Sequence, residues 1–400
     1  MPSDTPVDAA ASVIDSVVAA NDDELLELRR DLHAHPELSW AETRTGDLVA
    51  AAVEKAGWRV TRLPQTGLVA DLGDSGTRVA LRADLDALPV QDATTDPWTS
   101  TVPGVAHACG HDVHTAALVG AAQALGEVHA RGLLPGRVRL LFQPAEEVMP
   151  GGALHMVSLG VLEDVERIFA LHCDPGVDLG QVGLRLGPLT SAADRVEVRL
   201  EGTGGHTSRP HLTGDLTFAL AKVTTELPAM LSRRLDPRSG VSLVWGIVNA
   251  GAAANVIPDR GLTAGTVRIL DAVAWADCES LVRELVHDIV RPYGVKAHVV
   301  YQQGVPPVVN EAVSHRVLSG AVHRTLGERG RVTAHQSLGG EDFGWLLDQV
   351  PGAMARLGTR TPGGPTYDLH QGNLRVDERA TAIGARVLAN AAVGSLVTDR

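Results

Sequence analysis

The chain has 400 residues, more than one hydrophobic core usually fills, so two domains or one domain with a large insert is expected. Hydrophobic residues make up 44% and charged residues 21%, a globular balance that excludes a disordered or fibrous protein. A formal net charge of −13 without a long basic run repels polyanions and excludes nucleic acid as the expected partner.

In chain order, Met1 to Ala20 lacks the basic start and continuous apolar run of a signal peptide or anchor. Val13, Ile14, Val17, Val18, Leu25, Leu28 and Leu32 recur at three- and four-residue steps, predicting helices with a break at Asn21 and Asp22. Strands follow at 58–63 and 68–72, and a third from Val79 leads into Arg82-Ala83-Asp84. A helix over 112–126, a strand over 137–142 and a helix over 152–160 complete an alternation that implies an α/β sheet covered on both faces.

From about Gly187 the texture changes, because Val196, Val198 and Leu200 alternate with charged residues as in a sheet wet on one side. The expected order is strand 195–201, helix 216–231, strands 241–249 and 260–270, helix 273–291 and strand 295–302. That β-α-β-β-α-β order is that of a ferredoxin-like α+β unit. The remaining residues return to segments that would complete the first sheet, so a larger domain at 1–186 and 304–400 is read as interrupted by an insert at 187–303. No stretch approaches the ~20 apolar residues of a membrane span, so no membrane partner is expected. Cys109, Cys173 and Cys278 are too few for a disulfide framework and fit a reducing cytoplasm.

The densest chemistry is His107-Ala108-Cys109-Gly110-His111-Asp112-Val113-His114, four potential metal ligands and an acid within eight residues. A thiolate and an imidazole one small residue apart can point the same way from a turn that glycine permits, so Cys109 and His111 are the first two candidate ligands. His114 lies three residues further on the same helix face, as ligand or neighbour. Gln143-Pro144-Ala145-Glu146-Glu147 leaves the carboxyl end of an apolar strand, where open α/β sheets hold ligands. Adjacent carboxylates repel, so one is readily held by a cation while its neighbour serves as base. His172 and His370, read as lying at strand ends, are further candidate ligands, and Asp84 is placed to orient a ligand histidine. In the insert, His206 follows a glycine-rich stretch, and Asn255 and Arg268 supply amide and guanidinium donors, Arg268 being able to fork onto a carboxylate. G-x-x-x-x-G-K-[ST], G-x-G-x-x-G, G-x-S-x-G and H-E-x-x-H are all absent.

Taken in order, Arg30 to His33, Pro36-Glu37-Leu38, Arg82 to Pro89, His107 to His111, Phe142 to Glu147, Leu171-His172, Gly205-His206, Asn255 to Pro258, Gly340 to Phe343 and Leu369-His370 resemble the M20 metallopeptidase family. The resemblance spans nearly the whole chain and is to the branch that hydrolyses N-acyl, hippuryl and indole-acetyl amino acids. It implies a two-metal catalytic domain with Cys109, His111, Glu147, His172 and His370 as ligands and Glu146 as general acid/base. It implies two divalent ions, zinc or manganese, and an inserted dimerisation lid whose His206 and Asn255 polarise the scissile carbonyl or contact substrate. Arg268 takes the substrate carboxylate by the same likeness, while His33, His114 and Asp84 are supports and Glu341 and Asp342 shape the pocket. The expected substrate is a small N-acyl amino acid, and the expected assembly is a homodimer or homotetramer.

Gln371-Gly372-Asn373-Leu374 stands where the family often has Ser-Pro-x-Phe, His155 stands where relatives commonly carry lysine, and Thr207-Ser208-Arg209 departs from the usual small-residue run. The rival readings are a dipeptidase, an N-acetyl-amino-acid deacetylase, a carbamoyl-amide hydrolase, a two-metal phosphatase and a non-catalytic metal-dependent binding protein.

Overall fold

The computed structural model describes residues 6–398; Met1 to Thr5, within the stretch read for a leader, lie outside the described residues. The chain forms two compact units. The first comprises residues 1–189, 309–335 and 345–400, and the second residues 190–308 and 336–344.

The first unit begins with three amphipathic helices, α1 (Pro6–Ala20), α2 (Asp22–Ala34) and α3 (Thr43–Lys55), the last unread in the sequence pattern. Three strands follow, β1 (Arg59–Arg62), β2 (Leu68–Leu72) and β3 (Arg78–Asp84), then α4 (His111–Ala130), β4 (Arg137–Gln143), α5 (Gly152–Ser158), β5 (Val165–Asp178), β6 (Val182–Leu184) and the short β7 (Gly187–Pro188). α4 is buried on nearly every side, as expected of a helix apolar all round, and its neighbours include α1, α2 and a C-terminal helix.

In the second unit β8 (Ala192–Glu201) keeps the predicted alternation, with Val196, Val198 and Leu200 buried between exposed Arg195, Arg199 and Glu201. After it come β9 (Gly205–His206), α6 (Leu216–Arg234), β10 (Ser242–Ala250), β11 (Val256–Ile257), β12 (Arg260–Ile269), α7 (Ala272–Val290) and β13 (Lys296–Val305). The four long strands form an antiparallel sheet in the order β10-β12-β8-β13, and β9 pairs separately with β11.

The chain then supplies β14 (Val309–Asn310), α8 (Ala312–Leu326), β15 (Arg331–Thr333), α9 (Phe343–Leu347), β16 (Gly352–Arg360) and α10 (Ala380–Leu396). The first unit's sheet has eight strands in the order β1-β2-β4-β3-β5-β16-β6-β15. Its centre is parallel, β4 to β3 to β5 to β16, and the β1, β2 and β6 pairings are antiparallel in part, giving the mixed sheet expected. The parallel centre is buried on both faces, so β3, β4 and β16 are buried along nearly their whole length, polar side chains such as Arg82, Gln143 and Arg356 included.

Three sequence expectations need correction here. His172 is not at a strand end but inside β5, whose fourteen residues continue past it because its neighbour β16 runs alongside as far as Asp178. His370 lies on the loop between β16 and α10 with φ 62°, on no strand. The segment 336–344, read as part of the returning larger domain, clusters with the second unit. Among the described residues no helix is long and apolar enough to cross a membrane.

Candidate metal centre

The parallel strands deliver three groups of polar residues to one region of the first unit. β3 ends on Asp84 with Asp86 just beyond, β4 ends on Gln143 before Glu146 and Glu147, and β5 carries His172. The fourth contribution is the turn ahead of α4, where Gly110 takes a left-handed φ of 85° and places Cys109 and His111 on either side of it. The fifth is the His370 loop, whose backbone N–H donates to the Ala108 carbonyl at 2.7 Å and so docks beside Cys109.

These residues converge. Cys109 Sγ lies 3.5 Å from His172 Nε2. His172 Nδ1 donates to the Cys173 carbonyl at 2.8 Å, which fixes the proton on that nitrogen and turns the Nε2 lone pair towards the thiol. His111 Nε2 stands 3.7 Å from Glu147 Oε1, and His370 Nε2 stands 3.4 Å from the same oxygen. The ligand atoms of Cys109, His111 and His172 fall within 4.8 Å of one another, and so do those of Cys109, Glu147 and His370 and those of His111, Glu146 and Glu147.

Whether this set suits a cation is decided by its orphaned atoms. His111 Nε2 and Glu147 Oε1 are buried and make no hydrogen bond, although burying such groups unpaired is expensive. Two lone pairs facing one another repel unless a proton or a metal ion lies between them. The donor set, thiolate with imidazoles and a carboxylate, is that of a zinc-class ion. Asp84, His111 and His114 form a further close group, but His114 has no free nitrogen. Its Nδ1 is 2.6 Å from Asp84 Oδ1 and its Nε2 accepts from the Cys173 backbone N–H at 2.8 Å, so His114 is a neighbour and not a ligand.

The electrostatics follow from burial. Burial pushes the Cys109 thiol up, so it becomes a thiolate only where a cation compensates it. Burial also acts against charge on His111, but Asp84, Asp86 and Cys109 outweigh it and favour a proton well above the usual imidazole range. His172 is held well below that range by burial and by Arg356, its register neighbour on β16, which keeps it in the neutral, ligating form. Glu147 is raised by burial against the pull of His111 and His370. Burial alone would raise Asp84, yet His111, Arg82 and His114 hold it well below the carboxylate range. Arg82, wholly buried, donates to Asp84 at 2.7 Å and to Gln143 at 2.9 Å.

Asp86, two residues beyond Asp84, is a site residue that the sequence pattern does not single out. It is buried, with Oδ1 3.3 Å from His111 Nδ1 and 3.1 Å from the Glu146 N–H, and Oδ2 accepting from the Glu147 N–H at 3.0 Å and the Ser39 hydroxyl at 2.6 Å. One carboxylate thus orients a candidate ligand ring and the backbone of both glutamates. Its two-residue spacing from Asp84 at the end of a buried strand was the available signal. His33 meets Asp112 at 2.8 Å and supports the start of α4, and His107, fully buried, is pushed down to about 4 by desolvation.

In the second unit His206 lies on β9 of the small β9–β11 ribbon and Asn255 on the turn just ahead of β11, both exposed and adjacent, the Thr207 N–H donating to the Asn255 carbonyl at 3.2 Å. His206 Nδ1 accepts from the Ser208 N–H at 3.1 Å, so the ring proton sits on Nε2 as an outward donor. Arg268 on β12 is half-buried, makes no hydrogen bond or ion pair among the described residues, and is lowered by desolvation. Glu341 and Asp342 are buried just ahead of α9, with Glu341 Oε1 accepting from the Phe343 N–H at 3.0 Å.

A mixed sheet that gathers a buried cluster of thiol, imidazoles and carboxylates around its parallel centre defines a metal-binding protein of the α/β class. The profile of peptidase family M20/M25/M40 matches residues 80–393, and the chain belongs to that family. A Bacillus subtilis protein named N-acetylcysteine deacetylase is 35% identical over 378 residues, covering 94% of this chain and 97% of that protein. A solved Bacillus subtilis structure, described as a dinuclear metal binding peptidase from the M20 family, superposes with a TM-score of 0.82 at 33% identity, covering 94% of this chain and 99% of the other. A Rhodococcus jostii protein named as a glutamate–cysteine ligase is 48% identical over 366 residues, 91% of this chain but 46% of that protein, so the chain spans about half its length.

Proposed function

We propose that the chain hydrolyses the amide bond of small N-acyl amino acids, with Cys109, His111, Glu147, His172 and His370 holding two divalent ions and Glu146 moving the proton. The observation that carries the reading is the pair of ligand groups sharing Cys109, one completed by His111 and His172 and the other by Glu147 and His370. When bound, two such ions lower the pKa of water and polarise a carbonyl. Glu146, on the same turn as Glu147 and half-buried, takes the proton from the attacking water and returns it to the departing nitrogen. Asp86 keeps that turn and the His111 ring in register. His206, with its proton on Nε2, is the donor for the tetrahedral oxyanion, a role worth roughly 3 kcal/mol for a preorganised group, and Asn255 contacts the same substrate. Arg268 receives the substrate carboxylate, which would pair a half-buried guanidinium.

The N-acetylcysteine deacetylase name of a relative supports the N-acyl amino acid class, with dipeptides as the rival substrate. The ligase name belongs to a protein about twice the matched length and is not carried over. The donor set favours zinc over manganese. The second unit serves as lid and dimerisation surface, and a cytoplasmic setting fits the three free cysteines. Exposed apolar side chains on the edge strand β10, Val244, Ile247 and Val248, suit antiparallel pairing with a second copy of the chain.

Glu146→Gln tests the proton role. It is expected to retain metal while kcat falls by about 10²–10⁴. Unchanged turnover on N-acetyl and N-benzoyl amino acids would refute the assignment.

A further inference from the structure

The turn Pro144–Glu147 leaves β4 with its backbone donors pointing away from any strand partner, and Ala145 takes a left-handed φ of 52°, unusual for a residue with a Cβ. Each donor nevertheless has an acceptor. Asp86 serves Glu146 and Glu147. The Ala145 N–H donates at 2.7 Å to Oε1 of Glu42, a residue 103 positions earlier. The Ala145 carbonyl in turn accepts from the Gly152 N–H at 2.8 Å.

Glu42 is 0% exposed, and its second oxygen accepts from the Thr66 hydroxyl at 2.6 Å. It occupies the N-cap of α3, where a side chain of this type would ordinarily accept from the first turn of its own helix, yet it makes no such bond. That task falls to Glu37, whose carboxylate accepts from the Arg44 N–H at 3.0 Å and the Thr45 N–H at 2.8 Å. The helix is therefore capped without Glu42. A carboxylate withdrawn wholly from water, with no side-chain bond to the first turn of its own helix, instead holds one peptide of the turn before Glu146.

We propose that Glu42 is a positioning residue for the reaction: by fixing the Ala145 peptide it sets where the Glu146 carboxylate stands. The proposal rests on the reading of Glu146 as proton carrier. The two Glu42 oxygens are taken by the Ala145 N–H and the Thr66 hydroxyl, so Glu42 acts through the left-handed turn, which without an acceptor at the Ala145 N–H would relax towards an ordinary conformation and carry Glu146 with it.

The test is made on full-length, metal-loaded protein, with kcat, KM, metal content and thermal midpoint measured for Glu42→Ala, Glu42→Gln and Glu146→Gln. Glu42→Ala is expected to lower kcat by about 10²-fold, the scale of a misplacement near 1 Å, with KM and metal content close to wild type. Glu42→Gln keeps an acceptor for Ala145 and can donate to Thr66, so it is expected to recover most of kcat. A merely structural role predicts instead a lower melting point with kcat intact in Glu42→Ala, and that result would overturn the proposal, as would a Gln variant no better than Ala. Should Glu42→Ala not fold, Glu42→Asp, with the same charge one methylene shorter, carries the same expectation, and full kcat there is equally contrary. Glu146→Gln separates the two readings: if it stays active the proton role itself fails, whereas an inactive Glu146→Gln beside an unimpaired Glu42→Ala removes the positioning role alone.

Discussion

Among the described residues Asp86 belongs to none of the groups that could hold a metal ion, yet it touches His111 and both glutamate peptides at once. Removing it should loosen the site without deleting a ligand. Asp86→Ala is predicted to weaken metal affinity by about 10–100-fold in a competitive chelator titration, the usual scale for an outer hydrogen-bond partner, and unaltered affinity would contradict the role. Asp112 gives a pH prediction. Burial would raise its carboxyl, but Arg29 at 2.9 Å and His33 at 2.8 Å hold it far below the ordinary range. A carboxyl depressed in the folded state contributes stability that is fully present above its unfolded pKa of about 4 and is lost as pH falls below it. Asp112→Asn should therefore cost roughly 3 kcal/mol in urea unfolding at pH 7, with the gap from wild type narrowing below about pH 4. A gap independent of pH would mean that the charge on Asp112 is not what stabilises the fold.

At the scale of elements, two glycines set the turns that carry the site. A Cβ on Gly110 would lie 2.8 Å from Cys173 Sγ at a left-handed φ, and one on Gly152 would lie 1.7 Å from the Pro144 carbonyl. Gly110→Ala is expected to lower the melting temperature, since left-handed strain alone costs about 1–2 kcal/mol, and to reduce bound metal by pushing Cys109 and His111 apart. Full metal occupancy in that variant would show that the turn tolerates the change. These turns explain what could be read from sequence. Cys109-Gly110-His111 and Glu146-Glu147 were legible because their ligands are neighbours in the chain, on a glycine turn and a strand end. His172 and His370 were placed wrongly because a lone histidine carries no local pattern, and only the pairing of β5 with β16 and the docking of the 370 loop on Ala108 put them in reach. The ambiguity over His114 was settled by a backbone donor, Cys173 N–H, which no spacing rule can find. The alternation of β8 was legible because one face of its sheet is wet, while α3 was missed as an element and Glu42 as a contact, the latter because its partner lies in another segment.

At the scale of the whole molecule the chain crosses between its two units four times, at residues 189–190, 308–309, 335–336 and 344–345. The first unit holds Cys109, His111, Glu147, His172 and His370, and the second holds His206, Asn255 and Arg268. Chelator-stripped protein should thus lose hydrolysis and regain it with zinc or manganese. The edge strand β10 has no charged residue between Ser242 and Ala250 to deter pairing. Val248→Lys is expected to convert a dimer to a monomer in light scattering, and a wild-type protein already monomeric would remove β10 from consideration. The central claim, a pair of ions held by five side chains from distant segments, is tested most directly by anomalous diffraction at the metal edge from the metal-loaded protein. The account predicts two peaks per chain, both within bonding distance of Cys109, His111, Glu147, His172 or His370; a single peak, or peaks coordinated by other residues, would contradict it.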